Sequence, residues 1–169
     1  MKNIFLIGMP SSGKTTLGKQ LARHTHYRFV DTDKLIEKEQ SMSISALFAQ
    51  KGEAYFRTCE ANILRAIRPN SKLIIATGGG MPCFHDNMAY IKSNGISVFL
   101  DVKPEEIWQR MQHHAANDRP LYDRNNDELL QTLRQKYTDR IGFYSQADFS
   151  ITGATNVHQL LDMLKGTLG

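Results

Sequence analysis

The run Gly8-Met9-Pro10-Ser11-Ser12-Gly13-Lys14-Thr15 constrains this chain more than any other stretch of its 169 residues. It fits G-x-x-x-x-G-K-[ST] at every fixed position, and its setting matters as much as its letters. Ahead of it, Ile4-Phe5-Leu6-Ile7 is a continuous apolar run of the kind that forms a strand covered on both faces. Behind it, a helical pattern spans 13–24. A strand that turns tightly at glycine into a helix points several backbone N–H groups at one anion. The helix start adds about half a positive charge at the same place. Lys14 then brings a point charge to the β- and γ-phosphates of a nucleotide, and the Thr15 hydroxyl is a ligand for Mg²⁺. A chance glycine turn is the alternative; with strand and helix both in place, nucleotide binding is the better reading.

The rest of the chain alternates short apolar runs with helical patterns. Strands are predicted at 3–8, 28–31, 73–77, 96–101 and 148–151. Helices are predicted at 13–24, 34–39, 44–66, 86–93, 104–113, 127–144 and 156–164. Such alternation argues a three-layer α/β domain with a parallel sheet and right-handed crossovers. Ligands of such sheets bind at the carboxyl ends of the strands, and every motif of interest falls there. The polar stretch 113–126 separates two helical patterns and is expected to be a mobile lid, spanning about 112–126 of a single domain 1–169.

Hydrophobic residues make up 41% and charged residues 22%, which describes a soluble globular chain. No apolar run approaches the roughly 18 residues of a membrane span. The net charge of +4 suits an anionic partner, but the basic residues are scattered and form no aromatic-interleaved stripe. That pattern favours a pocket for phosphate and carboxylate over nucleic acid. Two cysteines, Cys59 and Cys83, have neither metal nor disulfide spacing, so a reducing cytoplasm is expected. The six histidines have no ligand spacing, and Trp108 is expected to pack. No heptad is evident, so a monomer is the default.

Val30-Asp31-Thr32-Asp33 closes the second strand. Alternation along an extended chain would put Asp31 and Asp33 on one side. One carboxylate could then serve Mg²⁺ while the other orients an attacking hydroxyl. The plainer alternative is that Asp33 caps the helix that follows. Asp101 ends the apolar run Val98-Phe99-Leu100 and is an equal candidate for the metal, so residue types leave Asp31 and Asp101 open. Arg57 and Glu60 lie three apart on a predicted helix and share a face, with Glu53 one turn earlier. They are either a solvated charge pair or a planar fork for a substrate carboxylate. Thr77-Gly78-Gly79-Gly80 follows the third strand, where glycines let a ligand approach the backbone or merely form a turn.

Taken together, the phosphate loop 8–16, Asp31-Thr32-Asp33, Phe56-Arg57 with Glu60, Thr77-Gly78-Gly79-Gly80, Arg119-Pro120-Leu121 and Arg140 with Tyr144 resemble the shikimate kinase family. The motifs span residues 8 to 144. The resemblance implies a nucleoside-monophosphate-kinase-like P-loop fold with a five-stranded parallel sheet in order 2-3-1-4-5. It implies transfer of the ATP γ-phosphoryl group to the 3-hydroxyl of shikimate, with Mg²⁺ as cofactor. By position, ATP would be held by Ser11, Ser12, Gly13, Lys14, Thr15, Thr16 and Arg119. Mg²⁺ would be held by Thr15 and Asp31. Shikimate would be held by Asp33, Arg57, Gly79 and Arg140, with Glu60 orienting Arg57. Asp33, Lys14 and Arg119 would be the catalytic set. Two positions depart from the family pattern: Ser11 stands where glycine is usual, and Gly142, in the segment after Arg140, is expected to weaken or bend the helix. The loop 152–156 is a plausible adenine-side loop. A gluconate-type small-acid kinase and a non-catalytic nucleotide-binding module are the competing readings.

Overall fold

The computed structural model describes residues 1–118 and 127–168. Five strands form one parallel sheet: β1 (Asn3–Ile7), β2 (Arg28–Asp31), β3 (Leu73–Ala76), β4 (Gly95–Asp101) and β5 (Phe149–Thr152). Their order is β2-β3-β1-β4-β5, as the resemblance implied. β1 lies at the centre, with Phe5 opposite Ile75 on one side and Ser97 on the other. Successive side chains of a strand point to opposite faces. Ile4 and Leu6 therefore join one core with Leu17, Leu21, Val157 and Leu160. Phe5 and Ile7 join another with Leu64, Ile91, Phe99 and Tyr144. Helices α1 (Lys14–Thr25) and α7 (Val157–Leu164) cover the first face. Helices α3 (Ile44–Ala66), α4 (Asn87–Asn94), α5 (Pro104–Asp118) and α6 (Asp127–Tyr144) supply residues to the second. An exposure of 0% along Ile4–Ile7 explains why β1 reads as an unbroken apolar run.

Three elements depart from expectation, each for a local reason. Helix α2 (Thr32–Gln40) begins two residues early, because the Asp31 carboxylate accepts from the backbone N–H groups of Asp33 and Lys34 and caps it. Helix α3 is broken at Gly52, whose φ of 80° and ψ of 172° are not helical, so it is two helices meeting at a kink. Helix α5 runs on to Asp118, so the first part of the expected lid is helical. Residues 119–126, with Arg119, lie outside the described residues. The expected weakness at Gly142 does not end α6, which continues to Tyr144.

A small third cluster of Ile36, Leu47, Phe56 and Cys59 holds α2 against α3. Among the described residues, no helix is long and apolar enough to cross a membrane. Because all strands are parallel, Ile7, Asp31, Ala76 and Asp101 end on the same side of the sheet.

Candidate active site

The phosphate loop leaves β1 through Gly8 and enters α1 at Gly13, with φ values of 147° and 95°. Ser11 adopts φ 59°, so the residue that replaces the usual glycine does sit in the left-handed region. A side chain there costs on the order of 1 kcal/mol. Lys14 is buried, and its Nζ donates to the carbonyls of Gly8 (2.8 Å) and Met9 (2.7 Å). Burial lowers its pKa to about 8, against the opposing pull of Asp33 and Asp31. A cleft of about 710 Å³ opens over the loop. Residues 10–16 line it, which brings Ser11, Ser12, Gly13, Lys14, Thr15 and Thr16 together as expected. Asp31, Asp33 and Gly79 line the same cleft, and Gly153, Thr155 and Asn156 of the loop marked for adenine border it.

Arg110 also lines the cleft, and sequence reasoning did not single it out. It reaches from α5 to donate to the Ser11 carbonyl at 3.2 Å and pairs with Glu106 at 2.6 Å. In the sequence it is one half of an ordinary i,i+4 helix pair, and nothing local says which way that face points.

Asp31 and Asp33 are close, though not by strand alternation. Asp31 is the last residue of β2 and Asp33 lies in the first turn of α2. Asp31 does the capping that was considered for Asp33, which leaves the Asp33 carboxylate free of that task. Asp31 Oδ2 stands 3.2 Å from Thr15 Oγ1, two hard oxygen donors beside the phosphate loop. Asp101, the rival, is fully engaged: Tyr137 donates to Oδ1 at 2.8 Å and Lys103 to Oδ2 at 2.9 Å. Thr15 and Asp31 line the cleft and could hold a divalent cation there, whereas Asp101 is not among the lining residues. Among the described residues, no group of three His, Cys, Asp or Glu side chains converges.

Beyond Asp33 the cleft meets the triple glycine, whose three residues lie against four charged side chains. A Cβ on Gly78 would lie 2.8 Å from both Asp33 Oδ1 and Glu60 Oε2. One on Gly79 would meet Pro10 and Arg140 Nη1, and one on Gly80 would lie 2.5 Å from Arg57 Nη1. Arg57 is 7% exposed. Its Nη1 donates to Glu60 at 2.6 Å, and its Nε and Nη2 donate to Glu53 at 3.3 and 3.1 Å. Its guanidinium carbon lies 4.2 Å from the centroid of the Phe84 ring, a cation–π contact. The surface-pair reading of Glu53 and Arg57 is thus only half right: Glu53 is exposed, but the arginine is buried.

Four buried side-chain polar atoms lack a hydrogen-bond partner among the described residues: Asp33 Oδ1, Glu60 Oε2, Gln112 Nε2 and Arg140 Nη1. Three of them face the triple glycine. Unpaired buried polar groups cost free energy unless something else pairs with them. Two acceptors and a cation gathered at the end of a phosphate cleft suit a small ligand with hydroxyls and a carboxylate. Burial raises the Asp33 pKa, with Asp31 adding to it and Lys14 opposing. Glu60 is pushed up to about 7, chiefly by burial, despite its bond to Arg57.

Comparison with known proteins agrees with this geometry. The family model for shikimate kinase matches residues 10–165. A shikimate kinase of Bacteroides fragilis is 43% identical over 150 residues, covering 88% of this chain and 83% of the relative. One of Clostridium botulinum is 37% identical over 165 residues, covering 98% and 95%. The solved structure of the Acinetobacter baumannii shikimate kinase in complex with shikimate is 30% identical and superposes with a TM-score of 0.85, covering 99% of this chain and 94% of that one.

Proposed function

The chain belongs to the shikimate kinase family, and from that premise we propose that it transfers the ATP γ-phosphoryl group to the 3-hydroxyl of shikimate, releasing ADP and shikimate 3-phosphate. The observation that carries the reading is the trio of unpartnered buried atoms beside the phosphate loop. The acceptor oxygen bonds to the γ-phosphorus as the bond to the β,γ-bridging oxygen breaks, and the hydroxyl proton passes to Asp33. Lys14 holds the β- and γ-phosphates, and Ser11, Ser12, Gly13, Thr15 and Thr16 surround them. Arg57 and Arg140 take the carboxylate, Gly79 lets the ring approach, and Glu60 fixes the Arg57 fork. Arg119 is assigned by family likeness alone to the charge on the transferring phosphoryl group. Thr15 and Asp31 fit Mg²⁺, which when bound neutralises phosphate charge.

We take residues 1–169 as one kinase domain with its lid at about 112–126, working in the cytoplasm as a monomer. Sedimentation at working concentration checks the last point; a dimer would overturn it. A coupled assay of ADP release with shikimate, with gluconate and without acceptor tests the function. Release dependent on shikimate is expected. Preference for gluconate would mean a related acid kinase, and equal release without acceptor would exclude phosphotransfer to either acid.

Two further results are expected. Gly80→Ala should raise the shikimate KM about tenfold or more, because its Cβ displaces a guanidinium already held by Glu53, Glu60 and Phe84. The ATP KM should not change; initial rates with each substrate varied check both. The second concerns Glu60, whose pKa is raised from 4.5 to about 7. Below pH 7 its proton weakens the hold on Arg57, so the shikimate KM should rise as pH falls through that value. Stability runs the other way. The folded state binds the proton more tightly than the unfolded state, so this group's stabilisation is full below about 4.5 and lost as pH rises through about 7. Glu60→Gln should flatten both profiles; a KM profile unchanged by that substitution would reject the assignment.

A further inference from the structure

Helix α6 carries Arg140, whose Nη1 is buried and has no partner among the described residues. Two tyrosines of the same helix bracket that arginine. Tyr137, Arg140 and Tyr144 are spaced by three and four residues, which places them in one row of a helix. Tyr144 is buried and donates to the Gly79 carbonyl, in the middle of the triple glycine. Tyr137 donates at 2.8 Å to Asp101 Oδ1, at the carboxyl end of β4. Lys103 closes the arrangement, donating to Asp101 Oδ2 at 2.9 Å and to the Tyr137 hydroxyl at 2.7 Å, with its Nζ 5.1 Å from the Tyr137 ring centroid. Arg140 sits between two attachments of one helix to two different strand ends.

We propose that Tyr137, with Asp101 and Lys103, is a positioning assembly for Arg140, setting the depth at which its guanidinium meets the carboxylate of the acceptor. The proposal rests on the acceptor reading given above. Asp101 has the look of a metal ligand, yet its two oxygens are spent on holding a helix. A carboxylate 8% exposed makes a firm anchor, because its bonds to Tyr137 and Lys103 face little competition from water. Without it, α6 can shift about Tyr144 within the limits set by Leu133 in the core and by the Arg134–Glu105 pair to α5. Such a shift moves Arg140 while Tyr144, which also touches Met9 of the phosphate loop, stays in place, so the effect should fall on one substrate only.

The test uses Tyr137→Phe, which keeps the ring in its packing and removes only the hydroxyl. Lys103→Met is the second variant, keeping an apolar stem on the Tyr137 ring. Each should raise the shikimate KM about five-fold, the worth of one hydrogen bond, with kcat and the ATP KM within about two-fold of the unaltered chain. Two controls separate positioning from general damage. In an Arg140→Ala background, Tyr137→Phe should have no further effect. With shikimate methyl ester, whose carboxylate is masked, the unaltered chain and Tyr137→Phe should have equal KM. A rise of the same size in the Arg140→Ala background, or an ATP KM that rises in step, overturns the proposal while the acceptor reading stands. An unaltered chain that does not turn over shikimate defeats the acceptor reading and takes this inference with it.

Discussion

Asp33→Asn is expected to lower kcat by about a thousandfold while leaving ATP affinity within about two-fold. The substitution is nearly isosteric, so the close packing against Gly78 survives, and Oδ1 was unpartnered to begin with. What disappears is the ability to take a proton. Burial raises the carboxyl pKa, with Asp31 adding to it and Lys14 opposing. A base poised in this way gives up little as the acceptor hydroxyl is deprotonated, and asparagine offers no counterpart. Rapid-quench turnover and titration of ATP by calorimetry check the two halves. A kcat that stays within tenfold would remove Asp33 from the chemistry, and a matching loss of ATP binding would relocate it to the nucleotide.

Arg57→Ala is expected to raise the shikimate KM by about two orders of magnitude, the usual consequence of removing one member of a buried charged pair. The loss has two parts. The acceptor carboxylate loses a planar two-pronged donor, and Glu60, 1% exposed, loses the cation it is bonded to. Arg57→Lys should recover little, because an ammonium cannot serve Glu53, Glu60 and a substrate carboxylate in one plane. The ATP KM should be unaffected in both variants. If the ATP KM rises and the shikimate KM does not, Arg57 faces the nucleotide and the acceptor pocket is misassigned.

How much of this was legible in the sequence depends on how far apart the partners lie. The phosphate loop was readable because strand, loop and helix are contiguous, and Lys14 and Thr15 fall where the motif puts them. Arg57 and Glu60 were readable as neighbours because helical spacing alone brings them together. Asp31 and Asp33 were picked out for a reason that fails, since the strand ends between them and the Asp31 carboxylate starts a helix. The rivalry between Asp31 and Asp101 had no answer in sequence. It turns on Tyr137, a residue 36 positions further along whose hydroxyl occupies Asp101. Arg110 and Phe84 were missed for the same reason, their partners being Ser11 and Arg57 across the fold. The break at Gly52 was hidden by a helical pattern that continues on both sides of it.

The small cluster of Ile36, Leu47, Phe56 and Cys59 has a further consequence, for the order in which the molecule comes apart. The phosphate loop hangs from β1, which is paired on both sides and wholly buried, so the amides of β1 are expected to exchange with solvent only when the whole domain opens. The helix that carries Arg57 and Glu60 reaches the central core through Leu64, but its Arg57 end starts at the break at Gly52 and is joined to α2 by those few side chains. That end is expected to open in a less protected cooperative unit than β1. Warming toward the melting transition should therefore erase acceptor discrimination while the nucleotide is still gripped, and for a few degrees the protein should behave as an ATP-binding domain that has lost its second substrate.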